Sequence, residues 1–437
     1  MADLSINLAG IKSPNPFWVA SAPPANTAYQ CHNAFAAGWG GFVWKTIGTP
    51  IVNVSSRYSA LNLGQMRMAG LNNIELISDR APETNFREIK ECKKEWPNHA
   101  IIASLMTDTR DNWHDFMKRA CDAGADGVEL NFGCPHGMCE RGMGSAVGQN
   151  PEVIETIVGW VMEAAEIPVI VKLTPNVTSV VPPARAAKRA GANAVSLINT
   201  INSITQVNME TMCPEPYVDG MSTHGGYCGP AVKPIALNML HEIASDPQCE
   251  GLPISGIGGI SNWKDAADFI ALGATGVQVC TAIMHYGFRI VEEMKDGLSD
   301  FLDSKGMKSV NDLRGLAVKK VTKWENLNLN YKRIATIDYD KCINCNLCYI
   351  ACEDGAHQAI ALISPDGHDL GPGRLPGKLI PKILEDVCVG CNLCALVCPV
   401  DDCIIMVDVP TGKKHMSWKQ YQDGMAAGKL KPIPAHP

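Results

Sequence analysis

The 437-residue chain contains no run of 18 consecutive apolar residues, and its N-terminal stretch, MADLSINLAGIKSPNPFWVA, has no basic segment ahead of a long apolar core. Neither a membrane-spanning helix nor a secretion signal is expected, and the chain reads as soluble and cytoplasmic. Long blocks of one charge are also missing: 45 acidic and 38 basic residues leave a net charge of −7, spread along the sequence. That argues against nucleic acid, whose binders tend to carry a basic stripe. No GxGxxG opens a βαβ unit, so NAD(P)H is not expected to bind this chain. Eighteen cysteines are present. In a large chain without a secretion signal, with many of them in metal-ligand spacing, they point to a reducing compartment rather than disulfides.

What is present is a repeat of strand and helix patterns. Eight apolar runs occur in order: PFWVASA, GGFVWKTIG, AIIASLM, GVELNFG, PVIVKLT, AVSLINT, PISGIGG and GVQVCTA. Segments of helical spacing, such as PEVIETIVGWVMEAAEI, lie between them. Alternating runs of this kind read as βα units around a parallel sheet. Eight units predict a (β/α)8 TIM barrel over residues 1–310, although periodicity cannot show closure and a doubly wound open sheet fits the same pattern. Residues 311–335 read as a helical linker, 336–410 as a cysteine-rich domain, and the polar 411–437 as a surface tail.

Cys342, Cys345, Cys348 and Cys352 form a C-x2-C-x2-C-x3-C run, and Cys388, Cys391, Cys394 and Cys398 repeat it ahead of Pro399. This is the spacing of a two-[4Fe–4S] ferredoxin-like domain, in which the fourth cysteine of each run ligates the other cluster. One cluster is therefore expected on Cys342, Cys345, Cys348 and Cys398. The other falls to Cys388, Cys391, Cys394 and Cys352. A pair of zinc sites is the bland alternative. Cys403 reads as a packed thiol outside both sets. Clusters carry electrons and transform no substrate, so the barrel must supply or accept them.

In a barrel the functional groups gather at the C-terminal strand ends. Those ends hold Ala20 and Ser21, Lys45 and Thr46, Asn131 with Cys134, Lys172, Asn199 and Thr200, and Cys280 and Thr281. SGIGGIS, with Gly258 and Gly259, ends the seventh run ahead of a helix, which suits a phosphate. A phosphate-bearing redox cofactor beside a two-cluster domain suggests FMN, which converts single electrons into hydride chemistry. Lys45 and Lys172 would place cations beside it.

At this point the residues resemble a known family. GLNNIELIS, ELNFGCPHGM with ERGMG, KLTPNVT, INT, GIGGI and the double cysteine run look like dihydropyrimidine dehydrogenases, over nearly all of residues 1–410. The likeness is to the FMN and iron–sulfur subunit of the bacterial NAD-dependent enzymes, with dihydroorotate dehydrogenases as more distant relatives. It implies a partner subunit carrying FAD and binding NAD(P)H, joined to a homodimer of this chain in a heterotetramer. Electrons would pass through the clusters to FMN, which would give hydride to C6 of uracil or thymine while Cys134 protonates C5. Asn73, Glu75, Asn131, Asn199 and Thr200 would bind the pyrimidine. Ala20, Ser21, Lys45, Thr46, Asn73 and Lys172 would contact FMN, as would Gly229, Gly258, Gly259, Cys280 and Thr281.

These roles agree with the chemistry. Asn both donates and accepts, Glu75 accepts from a ring N–H, and a cysteine of ordinary pKa, about 8.5, is protonated at neutral pH and can act as an acid. The sequence departs from the family at Gly133, where relatives usually carry serine, and at Cys139, a second thiol in the catalytic loop. His136 would orient substrate or simply shape that loop. Two other readings are a dihydroorotate dehydrogenase and a non-catalytic electron-transfer subunit. The first needs a cation for its substrate's carboxylate, where this chain offers Glu75.

Overall fold

A computed structural model gives residues 1–49, 52–134, 142–364 and 379–431, which divide into two compact units, Met1–Val321 and Thr322–Pro437. In the first, eight short strands run parallel: β1 (Phe17–Val19), β2 (Gly41–Val43), β3 (Ala100–Met106), β4 (Gly127–Asn131), β5 (Val169–Lys172), β6 (Ala194–Leu197), β7 (Ile254–Ile257) and β8 (Gly276–Val279). Every residue in them is buried, because helices cover one face and the lumen the other. The sheet runs β2-β1-β8-β7-β6-β5-β4-β3, and β3 pairs back onto β2 through Gly41↔Ala100 and Val43↔Ile102. The barrel expected from eight repeats is present, and its closure, which periodicity could not show, excludes the open sheet.

Eight helices alternate with these strands: α1 (Ala28–Ala37), α2 (Pro82–Glu95), α3 (Arg110–Asp122), α4 (Pro151–Glu163), α5 (Val181–Arg189), α6 (Lys233–Ala244), α7 (Trp263–Ala271) and α8 (Ile290–Ser304). Their ends follow local chemistry. Thr27 caps α1, Asn150 caps α4 ahead of Pro151, and Asn262 caps α7. A hairpin of Ile6–Leu8 and Ile11–Ser13 buries Ile11 at the start of β4 and Ile6 at the start of β8, covering the N-terminal end of the barrel.

The opposite mouth carries a feature the sequence reading did not anticipate. Excursions after β2 and β6 pair into a four-stranded antiparallel sheet, ordered Ile201–Ser203, Gly225–Cys228, Met66–Asn73 and Tyr58–Leu63. Both excursions leave from C-terminal strand ends, so this sheet stands over the mouth.

The second unit pairs Lys332–Ile337 with Ile404–Val409 and Ile360–Ile363 with Ile380–Ile383, both antiparallel, with short helices at Leu347–Gly355 and Leu393–Leu396. Of residues 311–335, read as a helical linker, only short helical turns are helical, and Lys332 already opens a strand. The expected tail contains a helix, Trp418–Ala426, started by a Ser417–Gln420 capping box. Among the described residues no helix is long and apolar enough to cross a membrane.

Candidate active site and cluster sites

A cavity opens at the C-terminal strand ends and is lined by Asn73, Glu75, Asn131, Cys134, Asn199 and Thr200. Ala20, Ser21, Lys45, Thr46, Lys172, Gly229, Gly258, Gly259, Cys280 and Thr281 line the same space. Every barrel residue given a catalytic, substrate or FMN role from the sequence therefore meets at one place. His136 and Cys139 lie outside the described residues, as does most of the loop after Cys134.

The asparagines belong to one hydrogen-bonded chain. Ser104 and Thr46 share a bond of 2.9 Å, Asn131 Nδ2 donates to Thr46 Oγ1 at 2.9 Å, and Asn199 Nδ2 donates to Asn131 Oδ1 at 2.9 Å. Backbone donors fix both amides: Gly133 N–H reaches Asn131 Oδ1 at 3.2 Å and Thr200 N–H reaches Asn199 Oδ1 at 2.8 Å. A backbone N–H can only donate, so the oxygens are identified and each NH2 keeps one N–H beyond these bonds. The departure at Gly133 bears on this arrangement, because a Cβ there would come within 2.4 Å of the Asn199 side chain.

Glu75 is buried and heavily paired. Lys45 Nζ lies 2.7 Å and Arg57 Nη1 2.5 Å from its Oε1, and Tyr58 donates to Oε2 at 2.8 Å. Burial and the neighbouring carboxylate push the Tyr58 phenol up, keeping it a donor. Arg57 and Tyr58 come from the sheet over the mouth and escaped the sequence reading, since that segment carries no strand-end position. Tyr227 and Cys228, also from this sheet, line the cavity, and Thr281 Oγ1 donates to Cys228 Sγ at 3.2 Å. Burial raises the pKa of both Cys228 and Cys280, which holds them as thiols.

The donor set fits FMN. Gly258 and Gly259 sit at φ +130° and +73° between β7 and α7, and a Cβ on Gly259 would meet the Gly229 carbonyl oxygen at 2.9 Å. Backbone N–H groups exposed by such a turn suit a phosphate. Lys172 and Lys45 would supply positive charge, and the buried Gln278, which lines the cavity, has an Oε1 without a hydrogen-bond partner.

In the second unit, Cys342, Cys345, Cys348 and Cys398 line one small cavity. Cys352, Cys388, Cys391 and Cys394 line another. Among the described residues no three His, Cys, Asp or Glu side chains are grouped to hold a single metal ion. Two all-cysteine quartets, each with three thiols from a C-x2-C-x2-C run, would suit a pair of cubanes, as the spacing implies. Each run turns through left-handed residues, Asn344 and Asn346 in one and Gly390 and Asn392 in the other. Asn and Gly tolerate that conformation, which lets short spacers fold inward. Burial raises the thiols of Cys348 and Cys394 to about 11. Cys403 lines the first cavity too, and its thiol donates to the Asp338 carbonyl.

Comparison with known proteins follows the same division. A family model described as dihydroorotate dehydrogenase matches residues 3–302, and one described as a 4Fe-4S dicluster domain matches residues 335–406. The NAD-dependent dihydropyrimidine dehydrogenase subunit PreA of Escherichia coli is 42% identical over 359 residues, covering 82% of this chain and 87% of the relative. The chain belongs to the dihydropyrimidine dehydrogenase group of the dihydroorotate dehydrogenase family. Chloroplastic dihydropyrimidine dehydrogenase (NADP(+)) of Arabidopsis thaliana, another of this group, is 40% identical over 332 residues, 73% of this chain and 78% of the relative. The catalytic subunit of dihydroorotate dehydrogenase B (NAD(+)) from Pyrococcus abyssi is 34% identical over 316 residues, 72% of this chain and 99% of the relative. The two family matches together support FMN and iron–sulfur clusters as cofactors of this dihydropyrimidine dehydrogenase homologue.

Proposed function

We propose that the chain reduces the C5–C6 bond of uracil or thymine to the 5,6-dihydropyrimidine, with Cys134 as the proton donor to C5. The observation that supports this most is the meeting of Cys134, Glu75 and the Asn131–Asn199 pair in one buried cavity with the phosphate-type turn at Gly258 and Gly259. FMN, when bound, would supply the hydride equivalent for C6. The chain's own residues do the rest. Asn131 and Asn199 each offer an N–H to a ring carbonyl, and Glu75 accepts from a ring N–H. Asn73 and Thr200 complete the pyrimidine contacts. The Cys134 thiol sits on the strand-end loop, within reach of the same space, and its carbonyl accepts from Ser145 N–H at 3.0 Å.

Electrons would arrive through two [4Fe–4S] clusters held as the cysteine quartets suggest, from an FAD- and NAD(P)H-binding partner subunit. The naming of the Escherichia coli relative as a subunit supports such a partner, and a homodimer of this chain inside a heterotetramer is the assembly we propose. A second reading, dihydroorotate oxidation, draws support from the family match over residues 3–302. The higher identity to the dihydropyrimidine dehydrogenases, 42% and 40% against 34% for the dihydroorotate dehydrogenase subunit, favours the first reading. Assaying reduced holoenzyme with uracil and thymine, and oxidised holoenzyme with dihydroorotate and an electron acceptor, separates the two. Turnover of dihydroorotate alone would overturn the proposal.

A further inference from the structure

A polar layer crosses the barrel lumen beside the cavity. Glu129 on β4, Ser196 on β6 and Gln278 on β8 come from strands that do not pair with one another, so the bonds between them span the interior. Ser196 Oγ and Gln278 Nε2 both donate to Glu129 Oε2 at 2.8 Å, and Gln278 Nε2 also reaches Ser255 Oγ at 3.2 Å. Lys172 Nζ stands 3.6 Å from Glu129 Oε1. Glu129 is 0% and Gln278 1% exposed.

Barrel layers are ordinarily filled by branched apolar side chains. A buried ion pair adds little stability, and well-packed apolar residues of the same volume often do better. The pairing here is also incomplete, since neither Glu129 Oε1 nor Gln278 Oε1 has a hydrogen-bond partner. Stability therefore does not account for the layer. Its upper members do touch the cavity: Lys172 and Gln278 line it, while Glu129 stands behind Lys172.

We propose that Glu129 is a positioning residue whose carboxylate offsets the Lys172 ammonium and so sets the electron affinity of the flavin bound in the cavity. The inference rests on the FMN reading above. A cation beside the ring favours the reduced, negatively charged flavin, and a carboxylate behind that cation weakens its field. Gln278 ties the carboxylate to the cavity wall, so the charge is held at a fixed depth.

The test compares wild-type holoprotein with Glu129→Gln, an isosteric change that keeps an acceptor for Ser196. Flavin content is read from the visible spectrum, and the affinity of the bound flavin for sulfite and its midpoint potential are then titrated. The expected result is full flavin content, sulfite binding about tenfold tighter, and a more positive midpoint. Glu129→Asp keeps the charge but draws it back from Lys172, and should give a smaller shift of the same sign. It carries the test if the Gln variant does not fold. A purely structural role would lower thermal stability while leaving sulfite affinity and midpoint unmoved, and that result overturns the proposal. Wild-type protein without FMN would overturn the flavin reading and this inference with it.

Discussion

The two units arrange redox-type sites in opposite ways. In the second unit, three cysteines of each quartet come from a seven-residue stretch, and only Cys398 or Cys352 is brought from elsewhere. In the barrel, the cavity draws groups from seven of the eight strand ends, from Ser21 at the first to Thr281 at the last. A local site is fixed by spacing and left-handed turns. A distributed site is fixed by closure of the sheet and by bonds such as Asn199 to Asn131, which no spacing encodes. The first should fail abruptly when one ligand goes, and the second by degrees.

Cys348→Ser should have the largest effect. One quartet loses a ligand, so iron content drops and NAD(P)H-driven pyrimidine reduction falls to background while flavin stays bound. Full iron content in that variant would refute the quartet assignment. Cys134→Ala removes only the proposed acid. Turnover should fall by about 10²–10⁴-fold with iron and flavin unchanged, and steady-state kinetics beside the absorption spectrum will show whether it does. Glu75→Gln leaves Lys45 and Arg57 without their carboxylate. A fall of about 10- to 150-fold in kcat/KM for uracil is expected from the loss of a charge-assisted bond. Gly259→Ala puts a side chain on a residue at φ +73° against the Gly229 carbonyl. FMN affinity, measured by fluorescence titration of apoprotein, should weaken by about five- to tenfold. Cys403→Ser should matter least, shifting stability by about 1 kcal/mol and leaving iron content intact. Loss of iron there would make Cys403 a ligand after all.

Much of this was legible in the sequence, for reasons that differ between the units. The double cysteine run is one-dimensional information, and it led directly to the two thiol-lined cavities. The eight apolar runs gave the barrel because burial on both faces erases the polar alternation of a strand. Closure was not legible, since the β2–β3 pairing joins segments that periodicity treats alike. The sheet over the mouth was missed because Tyr58–Leu63 and Ile201–Ser203 are short, half-exposed strands without a continuous apolar run. Arg57 and Tyr58 were lost with it. Glu129 and Gln278 did leave a trace, as polar residues flanked by apolar ones inside GVELN and GVQV. A buried polar group in an apolar strand is costly, and only the distance across the lumen shows that the two belong together.

The backbone N–H groups of Gly133 and Thr200 also fix which way the Asn131 and Asn199 amides face, and under the proposed function this would decide which bases the cavity accepts. Neither Asn131 nor Asn199 can turn its amide over without setting a donor against a donor, so both face a ligand as N–H groups. A ring oxygen satisfies them. A ring amino group in the same place meets a donor and leaves two buried groups unpaired, a mismatch that ordinarily excludes an analogue far more strongly than a missing methyl group does. Under the proposed function, discrimination between uracil and cytosine would rest on two main-chain amides, where side-chain substitution cannot easily reach it.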